Sequence, residues 1–371
     1  MQPAMNANTI AAPGSGPPVQ SSLAARRRRA AFAMLTVLSA LLAASMLAAV
    51  CIGAYRVTPL QVFSAITSGQ TALAGDATLR QVRSVILNIR LPRVALALFV
   101  GAGFGAAGSA LQALFRNPLA DPGLIGVSSG AALGASALIV LGPLLFTGSA
   151  ALAYLPVAAF AGALAVAALV YRLAAAHGRL ALPLLLLAGI AINALTGAAI
   201  GLLTYIADDA QLRSLTFWSL GSLGGAQWNR LGAVLPLALL GIGLLVRRRS
   251  ALNALQLGET EAQHLGVPVQ AVKRHVLVAS AMCVGALVSC TGAIGFIGLV
   301  APHCVRLACG PDQRVVMPGA MLLGATLTVL ADLAARTVAA PAEVPLGILT
   351  ALLGAPFFLA LLWRSRSRLG L

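Results

Sequence analysis

Residues 122–171 read PGLIGVSSGA ALGASALIVL GPLLFTGSAA LAYLPVAAFA GALAVAALVY, fifty consecutive positions without one Asp, Glu, Lys or Arg. A bilayer core of about 30 Å takes about 20 helical residues, so this run holds two crossings and must reverse direction between them. Gly142-Pro143 through Gly148 is the expected turn.

Working outward, similar apolar stretches recur at 31–55, 94–115, 123–145, 151–173, 181–206, 231–247, 276–292, 294–310, 315–333 and 344–363. The mean hydropathy of the 371-residue chain is +0.93. The stretches are continuously apolar rather than alternating, and a helix satisfies its own backbone hydrogen bonds in lipid, which favours helices over a barrel. The expectation is an all-α polytopic membrane protein with ten crossings in a lipid bilayer.

The formal charge is +16, from 25 basic and 9 acidic residues. In a soluble protein such an excess suggests nucleic acid, but here the charges sort by side. With the amino terminus in the cytoplasm, the inside receives Arg26 to Arg29, Arg116, Arg172, Arg179, Arg247 to Arg249, Lys273, Arg274, Arg306, Arg314, Arg364, Arg366 and Arg368, or 17 of the 25. That asymmetry predicts two cytoplasmic termini and no nucleic-acid partner. Residues 1–30 read as a disordered basic tail, 31–365 as one transmembrane domain with a polar loop at 250–274, and 366–371 as a short cytoplasmic tail. The apolar run after Arg29 is longer than the core of a cleavable signal peptide, so the first helix is expected to be retained. The five cysteines form no CxxC pair and lie in or beside apolar segments, as packing residues do.

Catalytic chemistry is unsupported. A phosphate loop of the GxxxxGK[ST] type needs a lysine after glycine, and the chain's one lysine, Lys273, follows Val272. There is no nucleophile elbow, no HExxH and no paired carboxylate site. Asp332, Glu343, Asp208 and Asp209 sit near the expected outer ends of segments and read as solvated or locally paired carboxylates. His303, beside Pro302, reads as a structural hydrogen-bonding residue. An ion-gradient-driven transporter would need Asp332 or Glu343 as its coupling group.

Four stretches carry more information. Arg90-Leu91-Pro92-Arg93 opens segment 2, with Pro in a first helical turn and two cations expected to project at the membrane surface, as interfacial anchors or as a docking site for an acidic partner. Gly101, Gly105 and the small residues beyond them make a face that permits close helix packing in lipid. Asn117-Pro118-Leu119 cannot be regular helix throughout, and such backbone at membrane depth must be buried in protein or line a wet cavity; Asp121-Pro122 then caps a new helix. In the 250–274 loop, Thr260-Glu261-Ala262-Gln263 fits a capping box starting a short helix that Gly266 and Pro268 end, and Gly258 separates it from a turn at 251–257. Two such exposed helices suit another protein's groove, unless the loop is a solvated linker.

These stretches, with Gln112, Phe217-Trp-Ser-Leu-Gly-Ser-Leu223, Gly292-Ala-Ile-Gly-Phe-Ile-Gly-Leu-Val-Ala-Pro-His303, Ala331-Asp-Leu-Ala-Ala-Arg336, Glu343-Val-Pro-Leu-Gly347 and Gly354-Ala-Pro-Phe357, resemble the FecCD-type permeases over nearly all of 31–365. Those are the membrane subunits of ABC importers for iron chelates, haem and cobalamin. The resemblance implies the cobalamin-importer-like (type II) permease fold and a homodimer with the route along its interface, in the bacterial inner membrane. It further implies two separate cytoplasmic ATPase subunits that bind ATP and Mg, a periplasmic haem or iron-chelate binding protein, and no cofactor or metal in this chain. It assigns carrier docking to Arg90, Arg93 and Arg336, and ATPase coupling to Leu257, Gly258, Glu259, Glu261, His264, Leu265, Gly266 and Pro268. Asn117, Leu119, Leu182 and Pro183 fall at the pathway gate, although the cobalamin permease carries hydroxyl residues where this chain has Leu182-Pro183. The stretches at 216–228 and 310–314 look most similar to haem permeases, with ferric-siderophore or cobalamin permeases as the alternatives.

Overall fold

The computed structural model describes residues 19–366 apart from 54, 56, 69–75, 146–152 and 177–178. Residues 1–18, His177, much of the turn expected at 142–148 and the tail from 367 lie outside the described residues. The elements run α1 (Val19–Cys51), α2 (Pro59–Thr67), α3 (Ala77–Ser84), a π-helical turn (Val85–Arg90), α4 (Leu91–Phe115), a 3-10 turn (Pro122–Ile125), α5 (Val127–Leu145), α6 (Leu155–Ala174), a two-residue-per-strand hairpin of β1 (Ala175–Ala176) and β2 (Arg179–Leu180), and α7 (Leu182–Ile206). They continue with α8 (Asp209–Leu220), α9 (Trp228–Arg247), α10 (Arg249–Leu257), α11 (Glu259–His264), α12 (Val269–Thr291), α13 (Ile297–Cys309), α14 (Gln313–Ala335) and α15 (Leu346–Arg366).

Eight of these helical runs are long and apolar enough to cross a membrane, and the shorter apolar helices Ile297–Cys309 and Leu346–Ala360 fall at the expected eighth and tenth segments. The 13 residues of α13 span about 20 Å, short of a full core. Three expectations are corrected. Helix α1 begins at Val19, inside the stretch read as a disordered tail; α5 runs through Pro143, so the reversal does not begin at Gly142; and the second crossing is helical from Ala77, not 94. The widened π turn, in which the Leu91 N–H donates to the Ile86 carbonyl, carries the helix past Pro92 without the carbonyl clash that proline brings to a regular turn.

The fifty-residue run folds as the antiparallel pair α5–α6, and small residues set its spacing. A Cβ on Gly130 would lie 2.4 Å from the Gly162 carbonyl oxygen, one on Gly162 2.3 Å from that of Gly130, and one on Gly134 2.2 Å from that of Ala158. Where lipid tails are as apolar as the side chains, close backbone packing replaces the hydrophobic drive as the source of association.

Helix α4 is the centre of the bundle: 20 of its 25 residues are buried. Its partner α14 runs antiparallel, with Gly101 against Gly324, Gly105 against Ala320 and, toward the far end, Ser109 Oγ donating to Gln313 Oε1 at 2.6 Å. The Gly101–Gly105 face is therefore the α4–α14 seam. Gln112 extends the polar end of this seam, donating to the Leu299 carbonyl and accepting from Arg306.

Candidate functional site

At one end of the bundle, two arginines, Arg93 and Arg336, meet the carboxylates of Asp332 and Glu343, with Arg90 beside them. Arg93 Nε donates to Asp332 at 2.9 and 3.1 Å, and its Nη1 and Nη2 reach the two oxygens of Glu343 at 2.7 and 3.0 Å. Arg336 stands 3.5 Å from Asp332 and donates to the Ala49 carbonyl, while Arg90 donates to the carbonyls of Val50, Cys51 and Tyr55. Arg90 and Arg93 therefore do not project at a surface: they are 4% and 7% exposed and turned inward. Asp332, 1% exposed, is not solvated; besides its local partner Arg336, four residues on, it holds Arg93 from a distant helix. One guanidinium joins α4, α14 and the segment before α15, and the other two tie in the end of α1.

Glu343 lies beyond α14 with its side chain 46% exposed. The Arg93 hydrogen bonds hold its carboxyl below the usual carboxylate range. The stabilisation it brings is thus present at neutral pH and is lost only as pH falls below the ordinary glutamate value of about 4.3.

The opposite end of α4 closes on a left-handed residue, Arg116 (φ 51°), with Asn117 N–H donating to the Gln112 carbonyl and Arg116 N–H to that of Ala113. Asn117 Oδ1 then accepts from Leu119 N–H at 2.9 Å, and Asp121 Oδ1 from Gly123 N–H at 2.8 Å. Asp121-Pro122 opens a single 3-10 turn, and the long helix starts at Val127. The connection packs on α7: Asn193 Nδ2 donates to the Gly123 carbonyl at 3.2 Å, Ser129 donates to Asn193, and a Cβ on Gly189 would meet the Leu124 carbonyl at 2.0 Å. Leu182 and Pro183 form the first turn of that same α7. The 3-10 turn is thus packed against α7, while Arg116 and Pro118 before it are exposed. His303 differs from its expected role: neither ring nitrogen has a hydrogen-bond partner among the described residues, and the ring stands edge-on to Phe357 at 6.2 Å.

Beside this end sits the helical pair α10–α11. Gly258, at φ 143° and ψ 158°, joins the two and serves as N-cap of α11, so Thr260 lies inside the helix and the expected capping box does not form. Gly266 (φ 78°) ends α11, with Val267 N–H donating to the Ala262 carbonyl and Gly266 N–H to that of Gln263. No side chain other than glycine's adopts the Gly258 conformation without strain. Pro268 does not end α11 but precedes α12 as its N-cap. The pair buries Leu252, Leu255 and Ala262 and leaves Leu257, Glu261, His264 and Leu265 outside, the two leucines 66% and 65% exposed. Glu259 turns back to Lys273 on α12, Oε2 to Nζ 2.7 Å.

The sequence pattern of the FecCD transport family matches residues 41–364. The chain belongs to the FecCD transport family. This FecCD permease is 53% identical over 287 residues to the hemin transport system permease of Yersinia pestis, covering 76% of this chain and 84% of that one. It is 43% identical over 278 residues to the cobalamin import system permease of Halobacterium salinarum, covering 75% and 73%, and 38% identical over 346 residues to the vitamin B12 import system permease of Escherichia coli, covering 93% and 99%. Its fold is similar to the solved inward-facing conformation of a metal-chelate type ABC transporter, with a TM-score of 0.77 and 34% identity over 89% of this chain and 98% of that one.

The FecCD chain is accordingly a multi-pass permease subunit of an ABC importer, with ATP hydrolysis in separate subunits and a binding protein as further partner. Permease chains of this family typically carry no cofactor. The ion-gradient-driven alternative is set aside by this membership. Neither Lys273 nor Asn193 stands in a recognisable motif, so the sequence alone assigns them no role.

Proposed function

We propose that this permease moves haem inward across the bacterial inner membrane, from a periplasmic carrier to the cytoplasm, with both termini cytoplasmic. The observation that carries the cargo is the 53% identity to a hemin permease, against 43% and 38% for two cobalamin permeases. In proteoliposomes holding the permease, its ATPase subunits and its carrier, haem is expected to accumulate in the lumen; accumulation of cobalamin or a ferric siderophore in its place would reassign the cargo.

The ATPase subunits are proposed to seat on α10–α11, whose exposed Leu257 and Leu265 supply an apolar anchor beside Glu261 and His264. A second copy of the permease is proposed against α7, of whose 25 residues only Leu185, Ala188, Gly189, Ile192 and Thr196 are buried. That leaves Leu187, Ile190, Leu195 and Leu202 on an unpartnered apolar face. Two permease chains per purified complex are expected, and one chain would remove the dimer. Asn117 and Leu119, with Leu182 and Pro183 at the entry to α7, are proposed to form the cytoplasmic gate.

Carrier docking is proposed at the Arg90, Arg93 and Arg336 cluster, where the half-exposed Glu343 occupies the side of Arg93 that an incoming carboxylate would take. Glu343→Gln is expected to tighten carrier binding about tenfold, the equivalent of about 1.4 kcal/mol. Unchanged affinity at low salt would remove Arg93 from the docking surface.

A further inference from the structure

We propose that Lys273 is a mechanical tie that carries movement of α11 to the hairpin leading into α7. The inference rests on the reading of α10–α11 as the ATPase seat and names the route by which that seat would reach the gate.

Lys273 is 2% exposed, and its ammonium has two acceptors from two different elements. One is Glu259 Oε2 of α11 at 2.7 Å; the other is the Leu180 backbone carbonyl of β2 at 3.0 Å. The Leu180 N–H is taken as well, donating at 2.9 Å to Gln270 Oε1. Gln270 lies three residues before Lys273, on the same face of α12. Both backbone polar groups of Leu180 are therefore held by one helix face, and the ammonium that holds one of them also holds the ATPase-facing helix. Two residues later, Leu182 opens α7.

A clamp between α11 and α12 alone would need only the Glu259 pair. The second acceptor makes Lys273 a three-element junction, and burial gives the junction its stiffness. A desolvated ammonium that loses one partner is left with an uncompensated charge, so displacement of α11 drags α12 and the hairpin with it rather than breaking the contact. The chain's remaining cations are all arginines. A compact ammonium with three rotatable donors can serve acceptors on two elements without the fixed plane of a guanidinium fork. Lys273 is a positioning residue in this account, touching neither nucleotide nor cargo.

The test uses the full reconstituted importer and reads transport per ATP hydrolysed. Lys273→Met keeps the apolar stem and removes the ammonium; hydrolysis is expected to persist while transport per ATP falls about tenfold, the equivalent of one lost charge-assisted contact. Exchanging the charges, Lys273→Glu with Glu259→Lys, restores the pair between α11 and α12 but sets a carboxylate against the Leu180 carbonyl, and is expected to remain uncoupled. Spin labels at Arg179 and Gln263, both exposed, add a readout that a merely stabilising residue would not move: their separation should stay constant on ATP binding in the parent and change in Lys273→Met. A normal ratio in Lys273→Met, or full rescue by the exchange, overturns the tie. If Lys273→Met fails to assemble, Glu259→Gln takes its place, with a fall of about threefold expected and no fall overturning the tie. A parent importer that couples normally beside an unaffected variant overturns the tie alone, whereas ATPase subunits that assemble without contacting α11 would remove the seat and the tie together.

Discussion

Arg93→Met is expected to cost about 3–5 kcal/mol of stability, the penalty of breaking a buried ion pair from one side. The substitution removes all four hydrogen bonds that the guanidinium makes to Asp332 and Glu343. Glu343, half exposed, regains water, but Asp332 is 1% exposed and keeps only Arg336 at 3.5 Å. Most of the cost therefore falls on Asp332, and a second substitution should relieve it. Arg93→Met with Asp332→Asn, which neutralises the stranded carboxylate, is expected to recover more than half of the loss. Thermal unfolding in detergent measures both. A single-variant cost below about 1 kcal/mol, the range of a surface pair, would mean that the network is solvated, and absence of recovery would mean that Arg93 acts through something other than Asp332.

Gly105→Ala should be a damaging one-methyl change at the α4–α14 seam. Its Cβ would lie 2.2 Å from the Ala320 carbonyl oxygen and 3.0 Å from the Met321 nitrogen. Both are backbone atoms, so no rotamer change relieves the overlap and the helices must part. A cost of about 1–3 kcal/mol is expected, rising when Gly101→Ala, whose Cβ would meet the Gly324 oxygen at 2.2 Å, is added. Gly243, on α9, has nothing within 4 Å of a built Cβ. There, Gly→Ala should be neutral or stabilising by about 0.5–1 kcal/mol through helix propensity. Equal effects at Gly105 and Gly243 would show that the seam does not depend on backbone contact at Gly105.

The apolar segments were legible because hydropathy is a local property: the structure puts a helix on each stretch read as a crossing. Helices α2, α3 and α8 were not, since they are short and partly polar, and their start signals, capping boxes at Thr58–Gln61 and Asp208–Gln211 and a single cap at Asp76, have no long apolar run behind them. The motif Arg90-Leu-Pro-Arg93 was visible, but the direction of its side chains was not. The partners of Arg93 lie 239 and 250 residues away, and pairing over that separation leaves no trace in spacing. The short helices around Gly258 were legible to within two residues, and the error came from Thr260, whose fit to a capping box competed with a glycine conformation that only a backbone shows. Glu259 and Lys273 are 14 residues apart, close enough to pair across one turn. What hid that junction was its third member, the carbonyl of Leu180, which belongs to the backbone and carries no side-chain signature.

We propose a conduit that supplies no work of its own, with every stroke entering through α10–α11. Haem uptake into proteoliposomes containing this permease and its loaded carrier, measured with and without the ATPase subunits and with the proton gradient collapsed, tests that most directly. The account predicts uptake that requires the ATPase subunits and survives loss of the gradient; uptake by the permease and carrier alone, abolished by collapsing the gradient, would contradict it.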